Sequence, residues 1–374
     1  MATRRQFLSV IGGGAILAAG GCSGIGATAS NPAAPWGTAA AEADPRRFAL
    51  SHAILAPNPH NLQPWKVSLD GNDEVTLFYD TTRALPQTDP FDRQITIGMG
   101  CFLEQMVVAA SARGFAVDIT LFPDGADTAG LDTRPVAHAR FRPSAFADPL
   151  FAAIPDRRST KEPFDMDQPV LASALAAVDP NLPGIAFGGT VDAAKVAELR
   201  DIMWTAWVIE VETPRTHQES VDLMRLGRRE IAANPDGIDL GGGMMEALIA
   251  TRLVTRESLA TPGTRAYQAG FDIYQPMIEA TPAAVWLTSQ RNSREDQINA
   301  GRAWLRLNLK TTQAGLALHP VSQALQEYPE MSEQYGRAHR LLASPGETVQ
   351  MLGRLGYAAP VPQTPRWGLD DKLV

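Results

Sequence analysis

Arg93-Gln94-Ile95-Thr96-Ile97-Gly98 and Asp296-Gln297-Ile298-Asn299-Ala300-Gly301 open two helices of one kind, one in each half of the chain. Each runs on through several turns of apolar periodicity, to Arg113-Gly114-Phe115 and to Ala314-Gly315-Leu316. A glycine just past the last helical residue is the expected C-cap. Each helix follows a strand pattern and feeds an extended segment. A pattern recurring at this scale reads as a duplicated supersecondary unit. The chain is therefore expected to be two copies of one α+β module fused in tandem, spanning 44–145 and 146–374.

Working outward from the first helix, Lys66–Leu69 and Val75–Tyr79 alternate as strands around the turn signal Gly71-Asn72-Asp73, a hairpin. Val117–Leu121 and Ala137–Phe141 read as two further strands. Asp44-Pro45 supplies an N-cap and N1 pair for a preceding helix. Around the second helix, Val285–Thr288 reads as a strand and Leu316–Val321 as an extended continuation. Residues 190–233 read as helical, with Trp204 and Trp207 on one face, and 236–243 as a glycine-rich break. Residues 31–43, rich in Ala, Pro and Gly, read as a linker.

Between the helix opened by Asp44-Pro45 and the hairpin lies Ala56-Pro57-Asn58-Pro59-His60-Asn61-Leu62-Gln63-Pro64-Trp65. Its prolines fix φ, remove backbone donors and push their predecessors out of the α region. A stiff polar loop at a helix-to-strand joint suits a planar, hydrogen-bonding ligand. In the second half, Arg157-Arg158-Ser159-Thr160-Lys161 places three cations and two hydroxyls together, either a phosphate cradle or solvated surface.

The net charge of −8 and the lack of a basic stripe argue against nucleic acid as a partner. The two cysteines, Cys22 and Cys101, form no CxxC or Cys/His cluster, so a structural zinc site is not expected. Cys101 sits in an apolar helical run and reads as a small core residue. Neither a Ser-His-Asp set nor a nucleophilic cysteine stands out from spacing.

Residues 1–30 read as an export leader rather than fold. Thr3-Arg4-Arg5-Gln6-Phe7-Leu8 ahead of the short apolar run Val10–Ala19 resembles the twin-arginine signal. Ala19-Gly20-Gly21-Cys22 resembles a lipobox, and Ala27-Thr28-Ala29 an ordinary peptidase site. Both a periplasmic protein and one anchored to the outer side of the inner membrane through lipid on Cys22 stay open.

The loop and the arginine cluster together resemble two motifs of the nitroreductase family: its Ala-Pro-Ser-x-x-Asn-x-Gln-Pro-Trp loop and its Arg-x-Ser-x-Arg/Lys flavin motif. Family members are normally homodimers with FMN at the interface, one motif from each subunit. Here each half carries one of the two, as in the tandem, Acg-like branch. The resemblance implies a single-chain pseudo-dimer, monomeric, with one composite FMN site. It assigns Arg157, Arg158 and Ser159 to the phosphate and ribityl chain. Lys161 goes to the pyrimidine edge, where a cation stabilises reduced flavin. Pro57, Asn58 and Asn61 would come from the other half, with Gln63 bracing the loop. His319-Pro320-Val321-Ser322-Gln323 matches the loop that faces flavin N5, through Pro320, Ser322 and Gln323. Pro365-Arg366 matches a terminal basic residue on the phosphate. The implied activity is reduction of nitroaromatics, quinones or similar small-molecule acceptors by ping-pong transfer, with NAD(P)H as a candidate donor. A flavin-sequestering protein without turnover is the alternative, with residues 215–265 as a cover over the ring.

Overall fold

The computed structural model describes residues 31–127 and 129–374; the leader reading of 1–30 lies outside the described residues. Asp44 opens α1 (Pro45–Ala53), its side chain accepting from Arg46 N. A hairpin follows, β1 (Trp65–Asp70) and β2 (Glu74–Tyr79), turned by Gly71 at φ 52°. Then come α2 (Arg93–Ser111), β3 (Phe115–Leu121) and β4 (Pro135–Pro143). These strands make an antiparallel sheet in the order β1-β2-β4-β3.

The second half repeats this plan. A 3₁₀ stretch, Pro149–Asp156, precedes α3 (Ala172–Ala177) and β5 (Ile185–Thr190). The sheet order β5-β8-β10-β9 has the same antiparallel topology as the first, with β8 (Ala283–Ser289), β9 (Ala317–Pro320) and β10 (Thr348–Gly356). Between β8 and β9 runs α10 (Arg294–Gln313), opened by a capping box in which the Ser293 and Asp296 side chains exchange bonds with each other's backbone. The tandem α+β architecture expected from the repeat is present.

The two repeat helices cross at their glycines. A Cβ on Gly100 would lie 2.1 Å from Ile298 O, and one on Gly301 would lie 1.9 Å from Ile97 O. Only glycine permits that approach. The reciprocity pairs Arg93 with Arg294 and Gly100 with Gly301, two residues away from the alignment of the sequence motifs, which set Arg93 against Asp296. Arg93 reaches into the second half, to Gln350 O at 2.8 Å and Leu325 O at 2.6 Å. Arg294 reaches into the first, to Asp127 O at 3.0 Å. Cys101 is buried beside this crossing, its Sγ donating to Gly301 O at 3.1 Å. One apolar cluster runs through both sheets and both helices, holding Trp65, Phe102, Val285 and Trp304.

Where β1 and β2 are joined by a tight turn, β5 and β8 are separated by a long insertion. It contains α4 (Ala193–Glu212), α5 (Pro214–Asp222), β6 (Met224–Leu226), α6 (Gly227–Ala233), β7 (Ile238–Leu240), α7 (Gly243–Ala250), α8 (Arg256–Ala260) and α9 (Arg265–Glu279). The helical reading of 190–233 is thus interrupted by β6, which pairs parallel with β7 inside the glycine-rich break. Residues of α5, α7 and α8 share a separate small core, with Val221, Met245, Leu248 and Leu259.

The stretch 31–43 is not a free linker. Pro35–Thr38 is one helical turn, and Trp36 is buried. The opposite end of the chain returns to the first half: Leu373 bridges Val67, and Val374 N donates to Val67 O at 3.0 Å.

Candidate functional site

The helix-to-strand loop after α1 is built against its own backbone preferences. His60, Asn61 and Gln63 sit in the left-handed region, at φ 50°, 54° and 52°. Such residues persist only where their surroundings impose the conformation. Here side chains do so. Asn58 accepts from Gln63 N at 2.7 Å and donates to Ala56 O at 3.1 Å, so both ends of its amide are used inside the loop. Gln63 is fully buried, donating to Pro235 O at 2.8 Å and accepting from Trp367 N at 2.9 Å. Lys372 Nζ donates to Gln63 O at 2.8 Å. Asn61 donates to Pro365 O at 3.1 Å and accepts from Arg366. Gly98 of α2 backs the loop, leaving room for Asn58 and Pro59 where a Cβ would stand at 3.2 Å.

Against this loop lie the cations of the second half. Arg157 donates through one terminal nitrogen to Leu55 O at 2.9 Å, joining the two halves directly. Its Nε and its other terminal nitrogen are buried without a hydrogen-bond partner. Arg366 donates to Leu55 O at 3.2 Å and to Ala56 O at 3.4 Å, and its Nε is likewise unpartnered. Arg158 is held by Val361 O at 3.2 Å and Pro155 O at 2.8 Å. Among the described residues no carboxylate forms an ion pair with any of the three. Burial lowers Arg157 to about 10 and Arg366 to about 9, with neighbouring guanidinium groups adding to the shift. Both remain charged at neutral pH. Buried charge without a counter-ion is costly unless a ligand completes it. Unpaired guanidinium donors gathered without an ion-paired acid make a preformed anion cradle.

Thr160 N donates to Leu318 O at 2.9 Å, fastening the arginine stretch to β9. Ser159 is half-buried and Lys161 exposed. Burial, then the Lys161 charge, lowers His60 to about 4. Burial, then Arg354 and Lys161, holds His319 well below the usual imidazole range. His319 Nδ1 accepts from Arg354 at 3.0 Å, which leaves the ring proton on Nε2. Pro57 and Pro320 are half-buried. The Ser322 hydroxyl donates to Leu352 O at 3.1 Å and accepts from Leu352 N at 3.3 Å, so it is committed to β10. Gln323 Oε1 is buried and unpartnered.

The insertion closes over this ground. Gly237 N donates to Asn61 O at 3.2 Å. Asp236 binds Arg83 at 2.7 Å, Arg225 at 2.6 Å and Trp367 Nε1 at 2.7 Å. Burial raises Asp239, opposed first by Lys161 and also by Arg366, which puts a carboxyl within their field. Glu210 accepts from Gln326 at 2.7 Å, and burial pushes it up to about 7. Sequence reading did not single out Trp36, Glu210, Asp236, Asp239, Trp367 or Lys372. Each lies in the insertion or at a chain end, without a motif around it.

No family model matches the chain. The Mycobacterium tuberculosis protein named "Putative NAD(P)H nitroreductase Rv3131" is 26% identical over 331 residues, covering 87% of this chain and 90% of its own. Another from that organism, "Putative NAD(P)H nitroreductase acg", is 24% identical over 347 residues, covering 87% and 94%. Among solved structures, a nitroreductase-titled chain from Anabaena variabilis matches 82% of each chain at 10% identity, with a TM-score of 0.44. The FMN-dependent nitroreductase NfnB of Mycobacterium smegmatis, solved with NADPH, matches 59% of this chain and 94% of its own at 20% identity, with a TM-score of 0.36.

Proposed function

We propose that this chain is an FMN-dependent oxidoreductase of nitroreductase type, reducing nitroaromatic, quinone or similar acceptors. The observation that carries the reading is the meeting of the strained loop with Arg157 and Arg366, whose buried donors are unpaired and uncompensated. A phosphate ester satisfies such donors, and the polar loop beside them suits a planar ring. The similarity to relatives named as NAD(P)H nitroreductases over most of both chains supports the same reading.

In this reading Arg157, Arg158, Ser159 and Arg366 hold the phosphate and ribityl chain. Lys161 faces the pyrimidine edge. Asn61 lies between Arg366 and the ring, while Asn58 and Gln63 keep the loop in shape. Pro320 at the end of β9 and Gln323 in the turn after it would border the ring, and Ser322 acts by fixing that turn to β10. Bound there, FMN supplies two-electron transfer between a nicotinamide or other donor and the acceptor. The protein's part is to bind, orient and set the charge.

The insertion's clasp on Asn61 and Gln63 favours a second reading, in which flavin is held and not turned over. Purified protein should carry bound FMN, bleach on anaerobic addition of NADPH, and recover its colour with a quinone or nitroaromatic. Protein that stays yellow under both additions supports sequestration. Protein that neither carries nor takes up FMN defeats both. Export through the leader, with or without lipid on Cys22, is a further part of the proposal, tested by cell fractionation and by substituting Arg4 and Arg5.

A further inference from the structure

Trp36 stands outside every motif that marks the site, yet it is only 8% exposed and lies among the three guanidinium groups of the cradle. Arg158 is 4.8 Å from its ring centroid, Arg366 5.7 Å and Arg157 5.9 Å. All three distances are within cation–π range. The indole is fixed from both ends of the chain. Its Nε1–H donates to Thr364 O at 2.9 Å, and Arg366 N donates to Pro32 O at 2.9 Å.

Three like charges gathered without an ion-paired carboxylate repel one another, the Asp156 and Asp239 charges acting on Arg158 and Arg366 only through space. We propose that the Trp36 indole is the positioning residue of this cradle, standing in for a counter-carboxylate and thereby setting the preference for a phosphorylated flavin over riboflavin. A carboxylate here would pair with the guanidinium donors and compete with an incoming phosphate. A ring face attracts the cations without accepting bonds in the guanidinium plane, so the unpaired Nε–H groups stay available. The inference rests on the FMN reading of the site.

The test titrates the flavin-free full-length chain with FMN and, separately, with riboflavin, following flavin fluorescence. Wild type, Trp36→Phe and Trp36→Leu are compared. Trp36→Phe keeps a ring face and retains the wild-type preference for FMN. Trp36→Leu keeps apolar bulk alone and weakens FMN about tenfold, with riboflavin changed by less than about twofold. Should Trp36→Leu not fold, judged by its thermal transition, the unbranched Trp36→Met is read in its place against the same expectation. Equal weakening of both flavins, or identical behaviour of the Phe and Leu variants, overturns the proposal while leaving FMN binding intact. A wild-type chain that binds neither flavin fails at the earlier step, the FMN reading itself.

Discussion

Arg157 is kept in place for something other than stability. Its other terminal nitrogen and its Nε lie buried without a hydrogen-bond partner or ion-paired carboxylate, and Arg366 already bonds the same Leu55 carbonyl. Replacing an uncompensated buried charge with an apolar chain of similar length is neutral or stabilising. Arg157→Met should therefore leave the melting temperature of the flavin-free protein unchanged or raise it by a few degrees. FMN affinity should fall by about a hundredfold, as expected for losing two charge-assisted hydrogen bonds. Calorimetry and flavin titration on one preparation test both halves of this; a destabilised variant with normal FMN affinity would refute it. The two histidines of the site set a pH dependence. His60 titrates near 4 in the fold, against about 6.5 when unfolded. Between those values the unfolded chain binds the extra proton, so stability falls as pH drops from 6.5 toward 4. His319, lowered by its own burial, acts in the same direction. His60→Asn, which suits the left-handed backbone at φ 50°, should flatten the melting temperature over that interval relative to wild type. Parallel curves for the two proteins would show that His60 is not a neutral buried ring.

The crossing of α2 and α10 brings the two backbones into direct contact at its glycines, flanked by the ion pairs of Glu104 with Arg302 and Arg306 at 2.7 Å. Gly100→Ala or Gly301→Ala would drive a methyl into a helix carbonyl, at 2.1 and 1.9 Å. Relief requires parting the two helices, so a loss of about 3 kcal/mol or more is expected. Gly270→Ala in α9 is the contrast: its Cβ would meet Trp207 at 3.7 Å, ordinary contact, and the helix gains up to about 1 kcal/mol. Urea denaturation of the three variants reads both signs. These glycines also show where the fold was legible and where it was not. The repeat helices, the hairpin and β8 announced themselves because their periodicity follows from a single buried face or full burial. β5 did not: Ile185-Ala186-Phe187-Gly188-Gly189-Thr190 has glycines because the Trp286 indole and Leu175 occupy the space of its side chains. β10 was hidden similarly. It buries Gln350 and Arg354 in an otherwise apolar run, with Gly353 and Gly356 making way for Trp304 and Phe164. Partners distant in sequence decided both strands. The site divides along the same line. The loop and the arginine cluster are dense in special residues and could be read locally. Trp36, Trp367 and Lys372 matter because the chain ends fold back onto that loop, which local patterns do not encode.

At the scale of the molecule, the two repeated halves are unequal, and the inequality bears on how many sites one chain can carry. The counterpart of the loop 54–64 is the shorter connection between α3 and β5, residues 178–184, which keeps Pro180, Asn181 and Pro183 but has neither a histidine nor a glutamine. The cations at the corresponding place in the first half, in the opening turn of α1, are already paired. Arg46 binds Asp44 at 2.8 Å, and Arg47 binds Glu42 at 2.9 Å and Asp370 at 2.8 Å. Burial at that second position therefore offers no uncompensated donor for an anion. The cradle that does, among the described residues, is completed within the chain: its loop comes from the first half, Arg157 from the second, and Arg366 from the returning tail. No second copy is needed to build it. Light scattering coupled to size exclusion should find a monomer, and flavin released by denaturation should amount to one FMN per chain. Arg157→Met should abolish that one equivalent rather than halve a total of two. A stoichiometry of two, or flavin retained only in a dimer, would mean that the paired cations in the first turn of α1 open to take a ligand. In that case the asymmetry between the halves would have a different cause.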